Sequence, residues 1–321
     1  MKKINILFLM FSFSLVFSQV KDSIKIDKNL TLYESEGITI NDTSFIDYNS
    51  GQEEYSEKLK VGEWKYYYQN KKIWCIGSYK NDLKEGKWTT YYRNGKIREI
   101  ENYKNGKKNG ENLSYYEDAK LRFKYYYEDD KLEGIFEQYY DNGKIFEKGN
   151  YKFGKRVDKW QSFYEDGKLK SVRNYNNGEY FEYYLSGNMK ESGKYKDDIK
   201  IGKWLRYYEN GKIDREEVYE FNNPEYHYTY YYENGNKKAE GYASGFQKNR
   251  IVTSYHENGT VFIKSVYENG KLMNVLEYKD SKGNNLEVGT LKDGNGILKA
   301  YTSEGIFIDN YEYVNGKKKN R

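Results

Sequence analysis

GKWTTYYRNGKIREIENYKNGKKN, residues 86–109, decides the fold, because the chain repeats it about ten times. DKWQSFYEDGKLKSVRNYNNG follows at 158–178 and GKWLRYYENGKIDREEVYEFNN at 202–223. A turn glycine returns at Gly95, Gly143, Gly167, Gly187, Gly211, Gly235, Gly259 and Gly283, and Ala119 stands in the same place between the first two. The steps are 24 residues or a doubled 24, except from 167 to 187, which is 20. A period of this length marks an array whose units bury their surfaces only by stacking on neighbours.

Each unit is numbered 1 to 24 from its leading residue, Gly62, Gly86 and so on. Position 3 is Trp64, Trp88, Phe136, Trp160, Tyr180, Trp204 and Tyr228. Position 7 is Tyr from Tyr68 to Tyr232, then His256. Position 12 is aliphatic in most units, as at Ile73, Ile97 and Leu169, and position 18 is Tyr79, Tyr103, Tyr151 and their equivalents. Asn-Gly at 9 and 10, between two aromatic-rich runs, signals a hairpin with a two-residue loop in which both residues have positive φ. That loop sets 7 opposite 12, 5 opposite 14 and 3 opposite 16. Gly77, Gly149, Gly193 and Gly241 at position 16 then leave room for the ring at position 3 of their own unit. A second turn near 20–24 returns the chain to the next unit. Runs of six to eight residues, frequent glycine and no 3.6-residue stripe exclude helix. The expectation is all-β: an elongated single-layer antiparallel meander of stacked 24-residue hairpins. Its apolar face, A, carries 3, 7, 12 and 18, and its other face, B, carries 6 with 4, 13 and 15.

Composition agrees with a folded array. Of 321 residues 32% are charged and only 37% hydrophobic, yet 39 are Tyr and 18% aromatic, and disordered chains are aromatic-poor. Lys2-Lys3 followed by the apolar stretch Ile6–Phe17 reads as a cleaved secretory signal over residues 1–18, too short for a membrane span of roughly 20 residues. Its removal takes two lysines from the formal charge of +5, leaving +3. The mature chain is expected to be exported to the periplasm, the cell surface or the medium. Residues 19–60 read as an N-terminal capping segment, 61–285 as the repeats, and 286–321 as a degenerate last repeat with a basic tail, Lys317, Lys318, Lys319 and Arg321. A near-neutral chain gives no footing for nucleic acid, and membrane binding is not expected. Cys75 is the only cysteine, so no internal disulfide forms.

The Gly-x-Trp-x-x-Tyr-Tyr-x-Asn-Gly-Lys core with its later Tyr-Lys-Asn-Gly-Lys resembles the bacterial variant of the MORN repeat (membrane occupation and recognition nexus) over about residues 62–285. That resemblance implies a hairpin sheet and, since such proteins are often labelled antitoxin components, a possible toxin as partner. Ala119, Asn112 in place of Trp, and Lys237 at position 12 depart from the pattern and are expected to soften their units.

Catalytic motifs are weak. Gly149, Gly154 and Lys155 imitate a phosphate loop, but Arg156 replaces the Ser or Thr and a strand follows. His227 and His256 lack a third metal ligand, and the acidic row at position 8 reads as turn solvation. A non-enzyme without cofactor or metal is expected, a scaffold that binds another protein. The alternative is a structural or glycan-binding component of the cell surface. Face A is expected either to close by coiling or to be covered by a partner or a second copy. Position 6, the row Tyr91, Tyr115, Tyr139, Phe163, Tyr183, Tyr207 and Tyr231, reads either as sheet packing or as partner contact, since Tyr among charges suits recognition. Far-ultraviolet circular dichroism of residues 19–321 is expected to show strand signal without substantial helix.

Overall fold

The computed structural model describes residues 59–319, except 69 and 244–249, together with the short strands Tyr33–Glu34 and Ile38–Ile40. The signal expected over 1–18 and most of the capping segment lie outside the described residues. So does Arg321 of the tail.

All described secondary structure is strand and turn; there is no helix among the described residues. The chain divides into two compact units, one running to residue 107 with 117–119, the other comprising 108–116 and 120–321. In the first, strands Leu59–Tyr67, Ile73–Lys80, Leu83–Tyr91 and Ile97–Lys104 pair antiparallel in chain order. Tyr33–Glu34 and Ile38–Ile40 pair with Leu59–Tyr67 and occupy its outer edge. In the second, the meander continues from Gly110–Tyr115 to Lys271–Tyr278, each strand paired with its sequence neighbours. Gly296–Tyr301, Phe307–Val314 and Lys317–Lys318 form a separate three-stranded sheet. Its Leu298 packs with Leu272, Tyr278 and Leu291.

The main turn does not take the two-residue form expected of it. At the main turn, Gly95 N–H donates to the Tyr92 carbonyl and Tyr92 N–H to the Lys96 carbonyl, and only Gly95 has positive φ, at 87°. This is a three-residue loop closed by a left-handed residue, not the two-residue loop. Ala119 takes that position at φ 76°, so a Cβ is tolerated there. The two-residue loops with both φ positive are the inter-repeat ones: Asn81–Asp82, Asn105–Gly106 and Asp197–Asp198. Lys80 pairs with Leu83 and Lys196 with Ile199 across two of them.

The longer main loop costs the register one residue. Position 5 lies opposite 14 and 3 opposite 16, as expected, but a bulge then sets 6 opposite 12: Tyr67 with Ile73, Tyr91 with Ile97, Phe163 with Leu169. Opposed residues share a face, and a bulge re-aims its neighbours. Position 12 therefore joins 6 on face B, and position 13 turns to face A, where Trp74 packs on Tyr66.

Face A closes over itself without a second layer. Gly77 pairs with Trp64 of its own unit, yet the ring over it is Trp88 from the next. Trp160 covers Gly149 and Trp204 covers Gly193 in the same way, and the register slips at each of these glycines. The Nε1–H of Trp88, Trp160 and Trp204 donates to the Ser78, Asn150 and Lys194 carbonyls, each at 3.1 Å. Tyr79, Tyr151 and Tyr195 meet the same rings edge-on at 4.9, 5.0 and 4.9 Å. A cation four residues before each of these tryptophans covers the remaining face: Lys60 over Trp64, Lys84 over Trp88, Arg156 over Trp160 and Lys200 over Trp204, at 3.8–4.5 Å. Glu147 and Glu191 hold Arg156 and Lys200 in place, at 3.0 and 3.1 Å. Trp204 is left 1% exposed. Where position 16 is Arg173 or Glu217 the register does not slip, and the facing residue is Tyr180 or Tyr228.

A Cβ at Gly149 would enter the Trp160 ring. Gly149→Ala is expected to cost about 1–3 kcal/mol by overpacking. Adding Trp160→Tyr should recover part of the loss, as Tyr180 beside Arg173 already illustrates. Denaturant midpoints of the single and double variants check this.

Candidate binding face

Side chains of each main turn reach forward to the backbone of the next. The Tyr140 O–H donates to the Phe163 carbonyl at 2.8 Å, Asn142 Nδ2 to Glu165 at 2.9 Å, and Lys144 Nζ to Asp166 at 2.8 Å. The tyrosine bond recurs from Tyr68 to Tyr91, Tyr116 to Tyr139, Tyr164 to Tyr183, Tyr184 to Tyr207, Tyr208 to Tyr231 and Tyr232 to Tyr255, at 2.6–2.8 Å. His256 continues the series to the Lys279 carbonyl at 2.9 Å, so its Nε2 carries the proton. The Tyr-x-Asn-Gly-Lys motif is thus a staple between repeats. Its acidic position 8 contributes a backbone carbonyl as well as a solvated side chain.

Among the candidate residues at position 6, the carbonyls of Tyr91, Tyr139, Phe163, Tyr183, Tyr207 and Tyr231 each accept one of these bonds. Tyr115 sits at the equivalent place on its strand, opposite Leu121. Tyr91 belongs to the first unit and the other six to the second. All seven side chains are half-buried, so the row is neither a sealed core nor a set of free rings. Each except Tyr231 lies against an apolar position 12; Tyr231 faces Lys237.

Charge on face B is uneven along the second unit. Tyr139 O–H donates to Glu137 at 2.7 Å, and Lys148 Nζ lies 5.6 Å from the Phe163 ring. Lys203 pairs with Glu216 at 2.9 Å, and Tyr255 donates to Glu240. Between those charged borders, positions 4 and 15 are Gln161, Val172, Phe181, Ser192 and Leu205, paired in that order across adjacent strands. Beside them run Phe163–Leu169, Tyr183–Met189 and Tyr207–Ile213. The result is an uncharged, half-buried patch spanning three hairpins, about 30 Å at two strand spacings per hairpin. It could have been found in the sequence by tabulating positions 4 and 15. The aromatic pattern common to all the repeats masks it.

The remaining sequence candidates fall into structural places. Gly149 lies in a strand and Gly154 in an inter-repeat turn with φ 77°. His227 packs edge-on to Tyr242 at 5.1 Å. Burial pushes the Cys75 thiol up to about 11. In the tail, Lys318 lies over Tyr311 and Lys319 pairs with Glu312 at 3.1 Å. Among the described residues no three His, Cys, Asp or Glu side chains group to hold a metal.

Fold and face define a hairpin-repeat array. The MORN repeat variant matches seven segments, residues 60–81, 84–105, 132–153, 159–177, 176–197, 200–220 and 251–269, and the chain belongs to the MORN-repeat family. No curated protein matches it. Among solved structures, the crystal structure of TcdB2-TccC3 without its hypervariable C-terminal region is similar over 82% of this chain and 17% of that one, at 10% identity and a TM-score of 0.18. The chain therefore spans about a sixth of that protein's length, and a similarity this low supports no shared role.

Tyrosine ionisation reports on the packing. Burial first, then the hydrogen bonds to Glu137 and Glu240, push Tyr139 and Tyr255 up to about 12. An unfolded tyrosine titrates near 10. The stability these two groups contribute is full below pH 10 and is lost as pH rises through about 12. A phenolate absorbance titration is expected to lag the same titration in urea, with unfolding setting in above pH 10.

Proposed function

We propose that the chain is an exported, non-enzymatic repeat scaffold that binds another protein through face B, with the patch around Phe181 as the main contact. The carrying observation is that patch: uncharged, half-buried, bordered by Glu137, Lys148, Lys203 and Glu216. An apolar centre with a polar rim is the usual anatomy of a recognition surface. Face A is a poorer candidate, because its position-3 tryptophans Trp64, Trp88, Trp160 and Trp204 are 1–4% exposed within one chain and a second copy would find little there to cover. Export rests on the Lys2-Lys3 and Ile6–Phe17 segment. A role as antitoxin or immunity component is the form of this reading that the family resemblance implies, and a toxin would then be the partner.

The position-6 row serves as the floor of the contact and not its specificity, since its backbone is committed to the inter-repeat staple. The uncharged residues at positions 4 and 15 from Gln161 to Leu205 set these hairpins apart from their immediate neighbours, where Lys148 faces Gln161 and Glu216 faces Leu205, and those positions select the partner. Phe181→Ser with Leu205→Ser is expected to weaken capture of a stoichiometric polypeptide from the producing cell by about 100-fold, as for two hot-spot anchors. Thermal melting should change little. Retention of the wild-type chain on cell-wall polysaccharide, unaffected by the double variant, would support the glycan-binding reading instead.

A further inference from the structure

The 20-residue repeat, from Gly167 to Gly187, lacks the last four positions of the 24. Elsewhere those positions supply the two-residue turn and the cation over the next unit's ring. Here Asn176–Asn177–Gly178 makes the connection, with Gly178 N–H donating to the Asn174 carbonyl at 2.8 Å. The missing residues leave a cavity of about 420 Å3, lined by Arg173, Tyr175, Asn177, Lys196, Asp197 and Asp198 among others. This falls within the roughly 300–1,000 Å3 of small-molecule sites, at the small end.

We propose that this notch binds a small zwitterion of the α-amino acid class, its carboxylate on Arg173 and its ammonium on the Asp197–Asp198 turn. Arg173 is held for such a contact. Its guanidinium carbon lies 4.6 Å from the Tyr175 ring centre and 4.2 Å from that of Tyr195, so two rings fix the plane and leave its edges for hydrogen bonding. Its Nη2 donates to Asp198 Oδ1 at 2.5 Å, while its Nε, out of solvent, has no partner among the described residues. A carboxylate placed bidentately on that edge satisfies both nitrogens, which one oxygen of Asp198 does not.

The present partner is exchangeable. Asp198 is 81% exposed at its side chain against 23% for Arg173. An ion pair this open at one end is screened by water and readily exchanged. By contrast Arg156 has both oxygens of the half-buried Glu147 at 3.0 Å. Displaced from Arg173, Asp198 joins Asp197 as an acceptor for a cation. The two carboxylates ride on consecutive turn residues at φ 50° and 61°. Arg173, Lys196, Asp197 and Asp198 all line the one cavity, so an anion alone or a cation alone meets like charge in the lining. A molecule carrying both signs meets an opposite charge for each. Lys196, with its Nζ 4.3 Å over the Phe221 ring, stands at the rim.

The test is titration of the full chain, by calorimetry and by amide chemical shifts, with glycine and phenylalanine as zwitterions and with acetate and ethylammonium as single-charge controls. Saturable binding of an amino acid is expected, with shifts centred on Gly178 and Asp198. Each control should bind about tenfold more weakly or worse. Arg173→Gln should abolish the response, and Asp198→Asn, at an exposed site that leaves the sheet intact, should weaken it by about tenfold. Absence of saturable binding by either amino acid, equal binding of acetate, or an Asp198→Asn chain that binds as tightly as wild type would overturn the proposal. None of these readouts depends on the face B patch, so the two proposals fail separately.

Discussion

A sheet one strand thick has no second layer to bury its rings or to hold neighbouring hairpins in register, and this chain meets both needs through bonds that run along the array. The tyrosine at position 7 donates to the carbonyl at position 6 of the next repeat, accompanied in many repeats by the turn asparagine and lysine reaching the carbonyls beside it. A buried or half-buried carbonyl without a donor would be costly. The bulge beside position 6 disturbs the ordinary ladder there, and the incoming phenol supplies the donor. The aromatic rows follow from that spacing, because each turn is fixed one hairpin away from the next.

Burial obeys the same rule. A tryptophan cannot be covered from above, so it lies flat on a glycine of the preceding unit, is edged by a tyrosine and is roofed by a cation from its own strand. The lysine or arginine stem adds apolar cover while the charged group stays at the surface. This explains how a chain with 32% charged residues can leave its position-3 tryptophans almost inaccessible. It also explains why the position-3 ring shrinks wherever the roof or the glycine is missing. Tyr180 follows Asn176 and faces Arg173, and Tyr228 follows Pro224 and faces Glu217.

The short repeat breaks this regularity on both faces. On face A it removes a turn and its roof cation and leaves a notch; on face B its strands hold the centre of the uncharged patch. Both the proposed partner contact and the proposed notch fall on this short unit, in the way that loops carry function on a regular scaffold.

The sequence by itself determined the period, the strand content, the antiparallel order and the pairings of 3 with 16 and 5 with 14, because these follow from local turn chemistry and from alternation along a strand. It pointed to the two-residue form at the main Asn-Gly turn, where the structure has a three-residue loop, and the two-residue form falls at the inter-repeat turns instead. The choice depends on whether position 7 is bound by the chain beyond the turn, and that is a contact between repeats. One residue of register at the main turn exchanged the faces of positions 12 and 13, and a separate slip against the next strand laid Trp88 over Gly77. The cation four residues before each position-3 tryptophan was legible as a spacing, but its purpose was not, since an i, i+4 relation has no obvious meaning in a strand until a bulge brings the two side chains together. The patch around Phe181 was legible in the identities at positions 4 and 15, but the notch beside Arg173 required the tertiary structure, because only the sheet places the Asp197–Asp198 turn beside Arg173.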